Sequence, residues 1–326
     1  MDRPRRRPAA ALGLAAAAAA GLALAADGDP PIRALHWIAA GADPLRAIAT
    51  QPTECLRRPA DPQAALQMEV GRAAFRDPLL LGGQASRASL ACETCHRNGR
   101  TNPDFHFPRI SGAPGTADVT QSIFSTRRGD GIDNPRPIPD LSGPKAKLKV
   151  DQAPQGRALE TFIHGLVVEE FDGDEPPRAV LEGLAAYVRS LDPSACPKAA
   201  REPVGAAVLM DDARRALAAA RAEIALGDRP AAILLLGAAR SRLGLIDERY
   251  ADAPRLAPLR GRLRNASARL AQAQGALRQG RDPEPAIFDR WLADSRRLET
   301  GLLAAEPASL FNPQRLEAAI KRRLPA

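Results

Sequence analysis

Histidine and cysteine are scarce in this 326-residue chain, four of each, and methionine occurs three times. The chain has one C-x-x-C and lacks a second one to complete a four-ligand zinc site. Aromatic residues are 4% of the total and acids are interspersed with bases, which argues against a nucleic-acid surface. Beyond residue 25 no apolar run is long enough to cross a membrane, so no span is expected in the mature chain. Alternating β patterning is nearly absent. Residues 204–326 contain neither histidine nor cysteine, and no motif there carries chemistry.

The apolar run that does exist is at the start. Arg3-Pro4-Arg5-Arg6-Arg7 precedes an alanine-rich stretch, Ala9 to Leu24, and Ala23-Leu24-Ala25 forms an A-x-A cleavage site. Residues 1–25 are therefore expected to be a signal peptide cleaved near Ala25, sending the protein to the periplasm. Net charge is +8. Removing residues 1–25 (four arginines, one aspartate) leaves +5; residues 204–326 hold 21 basic and 14 acidic residues, +7, so residues 26–203 carry −2. An arginine-rich C-terminal surface of this kind could also steer an acidic partner.

The densest chemical signal is Cys92-Glu93-Thr94-Cys95-His96, a C-x-x-C-H run. Two thiols at this spacing can each add to a vinyl group of one haem, and the adjacent histidine then ligates the iron. One covalent haem c is expected, with His96 proximal. Cys55 and Cys196 remain, flanking this region, and in an oxidising compartment they are expected to pair. For the sixth ligand the candidates are few. His106, in Asn102-Pro103-Asp104-Phe105-His106-Phe107-Pro108, is the preferred distal ligand or acid/base. His164 and His36 are weaker candidates, and Met68 and Met210 fall on predicted helices. Arg72, Arg97 and Arg100 are candidates to pair with haem propionates. The acidic run Glu169–Glu175 could bind calcium, but an acidic loop opening the next helix explains it more cheaply.

The fold class expected is all-α: a cytochrome c-like haem domain with long loops, followed by an α-helical bundle. A lead-in covers 26–61, with a short helix near Arg33–Ala40. The haem domain covers 62–198. Its helices are predicted at Pro62–Phe75, Arg157–Val167 and Arg178–Leu191, with a loop-rich stretch from Gly82 to Gly143 that a haem would fill. The bundle covers 204–326. Its best spacing is Leu256, Leu259, Leu263, Ala266, Leu270, Ala273 and Leu277, an a/d seam.

Val70-Gly71-Arg72-Ala73-Ala74-Phe75-Arg76-Asp77-Pro78-Leu79, followed by Ser89 to His96, resembles the lead-in and attachment segment of the bacterial di-haem cytochrome c peroxidases and their MauG-like relatives. Ile138–Gly143, Ala158–Ile163 and Gly183–Leu191 are similar to further segments of that family. The likeness covers about residues 66–196. It implies a cytochrome c fold, with Phe75 near the haem, and a family that reduces peroxide with two haems. This chain carries a single attachment run, and Lys147–Gly156, where the family places a distal residue, offers no His, Met or Tyr. The expected function is single-electron transfer by a mono-haem cytochrome with redox partner proteins, docking through the basic helical domain. The alternative is a peroxidase-like enzyme in which His106 assists proton transfer.

Overall fold

The structure is a computed structural model that describes residues 32–142, 149–196 and 201–323. The expected signal peptide, Gly143, Lys147 and Leu148 of the quoted segments, and part of the linker lie outside the described residues. Among the described residues the fold is mostly helical. The helices are α1 (Pro44–Ala49), α2 (Pro62–Ala74), α3 (Gly83–Arg87), α4 (Cys92–Cys95), α5 (Ala158–Gly165), α6 (Arg178–Ser190), α7 (Ala206–Ala225), α8 (Arg229–Arg249), α9 (Ala257–Arg278), α10 (Pro285–Ala305) and α11 (Pro313–Arg323). Two small antiparallel ribbons join them: β1 (Thr50–Pro52) with β4 (Arg201–Pro203), and β2 (Thr116–Ala117) with β3 (Arg136–Pro137).

Helix starts are written in the sequence as an Asx side chain before proline. Asp43 and Asp61 accept the Arg46 and Ala64 N–H groups at 3.0 and 2.8 Å, just ahead of Pro44 and Pro62. Proline's missing N–H costs nothing at the first helical position, where that donor has no intrahelical partner. Asp77-Pro78 and Asp192-Pro193 repeat the device. They terminate one helix and open a 3₁₀ turn, with Asp77 accepting the Leu79 N–H at 3.0 Å and Asp192 the Ser194 N–H at 2.8 Å. The helix expected near Arg33–Ala40 is a 3₁₀ turn, Arg33–Trp37. Helix α5 runs on into a π-helical turn, Leu166–Glu170.

Helices α2 and α6 cross at a point where neither has a side chain. A Cβ on Gly71 would lie 1.8 Å from the Gly183 carbonyl oxygen, so only glycine fits there. The crossing buries Val70, Leu184 and Val188 beside Phe75 and Tyr187. It also carries Phe75 to the attachment segment, because Phe75 sits at the C-terminal end of α2. Arg189 of α6 grips Glu160 of α5 through two bonds of 2.7 and 3.0 Å.

Helices α7 to α10 form the bundle. Leu263, Ala266, Leu270, Ala273 and Leu277 of α9 are buried as the seam predicts, while Leu259 is half-buried. Trp291 and Tyr250 are buried with their polar atoms bonded to the Ala266 and Leu302 carbonyls, at 3.0 and 2.7 Å. The boundaries expected at 61 and 204 do not separate packing units. One continuous core runs from Val70 through α6, α7 and α8 to Phe311, because α2 packs directly on α7 and α8. The lead-in packs at the far end, where Ile32, Leu35 and Ile48 meet Leu310, Leu316 and Ile320. Arg201–Pro203 of the linker form β4, paired with β1 of that lead-in.

Candidate haem site

The attachment run folds as the single turn α4, which puts Cys92 and Cys95 three residues apart on one face. Thr94 Oγ1 accepts the Ala91 N–H at 3.0 Å, and Asn102 ties the turn from outside by donating to the Thr94 carbonyl at 2.9 Å. Both thiols are free. Burial raises each to about 12, which opposes the thiolate that a thioredoxin-type nucleophile needs. Among the described residues no three His, Cys, Asp or Glu side chains gather into a metal-binding group, so the C-x-x-C has no protein partners for zinc.

His96 Nδ1 lies 3.0 Å from the Pro139 carbonyl oxygen. A carbonyl only accepts, so Nδ1 carries the proton and Nε2 presents its lone pair. Burial lowers the imidazole to about 4, with the Pro139 bond opposing that shift, so the ring is neutral at physiological pH. A neutral imidazole with one nitrogen fixed by a backbone carbonyl is the form that binds a metal through the other. The Phe75 ring lies 6.5 Å from the imidazole and 5.0 Å from Tyr187. These features fit a covalently attached haem: two protonated thiols on one face, an oriented neutral histidine and an aromatic neighbour.

Behind α4 lies a buried ion network. Glu93, between the two cysteines, meets Arg76 at 3.2 Å and Arg242 of α8 at 2.9 Å. Arg76 also meets Glu54 at 2.9 Å, and Arg72 meets Glu54 at 2.9 Å and Asp212 of α7 at 2.6 Å. Tyr187 donates to Glu54 at 2.7 Å. Burial alone would raise the Glu54 carboxyl, but Arg76 and Arg72 outweigh it and hold it at about 2. Three guanidiniums thus face three carboxylates, the arrangement that makes buried charge tolerable. Sequence reasoning passed over Glu54, Asp212, Arg242 and Tyr187, because nothing local marks residues that meet across more than 100 positions.

The other candidates fall in different places. Arg72, expected at a propionate, is buried, with Glu54 and Asp212 on its guanidinium. Arg100 pairs with Asp140 at 2.6 Å and lies beside the sulfur atoms of Cys55 and Cys196. Arg97 points to the Ala47 carbonyl. His106 is half-buried and its backbone N–H is bonded to Trp37 at 3.0 Å. His164 Nε2 is 2.7 Å from Glu175, and His36 is exposed. Met68 and Met210 are fully buried among the helices. Cys55 and Cys196 form the expected disulfide, with Cα atoms 4.4 Å apart.

The acidic run Glu169–Glu175 does not gather around an ion. Glu169 pairs with Arg128, Asp172 accepts the Thr126 N–H at 3.0 Å, and Glu175 holds His164. The run ends at Glu175, ahead of α6, whose own first turn holds no acid. Glu169 and Asp172 of the run brace the 125–128 loop.

No family model, curated protein or solved structure matches this chain.

Proposed function

We propose that this chain is a mono-haem c-type cytochrome of the periplasm that passes single electrons between redox partner proteins. The reading is carried by His96, whose Nδ1–H is fixed on the Pro139 carbonyl at 3.0 Å beside two free, protonated thiols. The likeness of residues 66–196 to the di-haem peroxidase family, and the leader-like residues 1–25, support it. Haem, when bound, supplies a one-electron iron couple.

The chain's own residues would do the rest. Cys92 and Cys95 anchor the macrocycle, His96 offers Nε2 to the iron, and Pro139 holds the ring plane. Phe75 and Tyr187 keep water from the histidine side. The Arg76–Glu93–Arg242 contacts fix the turn between the two cysteines, so that the donor geometry resists change with redox state. With both methionines in the core, His106 is the distal candidate from the loop that follows α4. A peroxidase-like enzyme with a weakly held distal position is the second reading, favoured by His106 being half-buried with no side-chain bond among the described residues.

The test is the chain expressed with its leader and a c-type maturation system. Mass should rise by one haem, and Cys92→Ala with Cys95→Ala should abolish the attachment. A low-spin ferric spectrum indifferent to cyanide supports the carrier, and a high-spin spectrum with rapid peroxide reaction supports the enzyme. A chain recovered from the periplasm without haem sinks both.

A further inference from the structure

A cavity of about 480 Å³ lies between the Arg33–Trp37 turn, the Asp77–Leu79 turn and α8. It touches Glu93, Thr94 and Arg97 but none of Cys92, Cys95 and His96, so it lies apart from the attachment chemistry. Its size falls within the range of small-molecule sites, about 300–1,000 Å³. Helix α8 shapes it with Gly237, Arg240, Ser241, Gly244, Leu245 and Glu248, which recur three or four apart on one face. Glycine inside a helix costs about 1 kcal/mol relative to alanine. At Gly244 packing gives no return for that cost, since nothing lies within 4 Å of where a Cβ would sit.

Five guanidiniums and five carboxylates line this space, but their pairing is uneven: Asp77 is the one carboxylate among them with no ion pair among the described residues, against three such arginines. Arg33 pairs with Glu248 at 3.4 Å, and Arg242 with Glu93 at 2.9 Å. Asp104 pairs with Arg46 at 2.7 Å. Arg97 and Arg249, in contrast, bond only to neutral acceptors among the described residues. They donate to consecutive carbonyls at the end of α1, Arg97 to Ala47 and Arg249 to Ile48 at 2.7 Å. Arg249 also donates to Leu310 at 3.0 Å. Arg240 likewise bonds to the Gln274 amide oxygen at 2.6 Å and to no carboxylate. Burial lowers Arg249 to about 10; the charge of Glu248 opposes that shift and the charge of Arg97 adds to it, so the two guanidiniums repel. A buried charge without a bonded counter-ion is costly, and the planar guanidinium fork matches the two oxygens of a carboxylate.

We propose that this cavity binds a small organic carboxylate. The anionic group would be held by Arg97 and Arg249, with its apolar body against Trp37, Ile38 and Leu245. The site would lie directly behind the attachment turn, since Glu93 and Arg97 belong to both.

Titration calorimetry on the haem-loaded protein tests it, with sodium benzoate as the probe and benzylamine as the cation of the same shape. Benzoate should bind with a dissociation constant of about 1 mM or tighter, and benzylamine should not bind. Arg97→Gln should weaken benzoate at least about tenfold, the loss expected for a charge-assisted hydrogen bond. Gly244→Leu should fold, leucine being the better helix former, and should block binding by filling the space. The proposal is overturned if benzoate gives no heat, if benzylamine binds as tightly, or if Gly244→Leu leaves binding unchanged.

Discussion

Arg76→Met removes the centre of the buried ion network while keeping an unbranched apolar stem. Arg76 is 2% exposed and touches Glu54, Glu93, Asn98 and the Arg72 carbonyl. Its charge is the largest favourable influence on Glu54, whose carboxyl is held at about 2 against an ordinary 4.5. That depression corresponds to about 3 kcal/mol at neutral pH. Removing one partner of a buried pair strands the other, at about 3–5 kcal/mol. The expected loss is therefore about 3–5 kcal/mol, a large part of a total stability of about 5–15. Urea unfolding at pH 7 measures it. The pH dependence supplies a second reading. A depressed carboxyl stabilises above its unfolded pKa, and that stability is lost as pH falls from about 4.5 toward 2. Wild type should lose stability across that window, and Arg76→Met should lose less, having little left to lose. Adding Glu54→Gln to Arg76→Met should recover part of the deficit, because the stranded charge goes. A loss below about 1 kcal/mol for Arg76→Met, or no recovery in the double variant, would refute a network that works by mutual compensation.

Asp77 runs in the opposite sense: burial raises its carboxyl from 3.8 to about 6. Its ionisation therefore opposes folding as pH rises from about 4 to 6, and the penalty persists above that. Asp77→Asn should stabilise the protein at pH 7 by about 1–3 kcal/mol and flatten that part of the urea stability profile, provided the amide keeps the Leu79 bond. Gly71→Ala should destabilise by more than about 3 kcal/mol, since its Cβ meets the Gly183 carbonyl. Gly275→Ala, a helical position with nothing within 4 Å, should instead gain up to about 1 kcal/mol; similar Tm shifts for the two would refute the crossing. Thiol titration of the denatured, unreduced haem protein should find no free cysteine. Reducing Cys55–Cys196, which closes a separation of 141 residues, should cost about 5 kcal/mol in urea unfolding.

Local chemistry is what the sequence determined by itself. Aspartate before proline set the starts of α1 and α2 through contacts a few residues long. Apolar spacing marked α6 and the α9 seam, because a helix repeats its face every three or four residues. The C-x-x-C-H run placed Cys92, Cys95 and His96 together by adjacency alone, and scarcity left Cys55 and Cys196 to pair. Tertiary structure decided what depends on distant residues meeting. The Pro139 carbonyl under His96 comes from 43 positions away, and Arg242 reaches Glu93 across 149. Arg72 reads as a candidate propionate partner in one dimension, yet Glu54 and Asp212 enclose it. Glu169 and Asp172 of the acidic run brace the 125–128 loop, which no spacing rule could reveal. The largest difference concerns the C-terminal helices. Their composition suggested a separate module, but burial is a property of the packed chain, and the close approach of α2 to α7 and α8 makes them the wall behind the attachment turn.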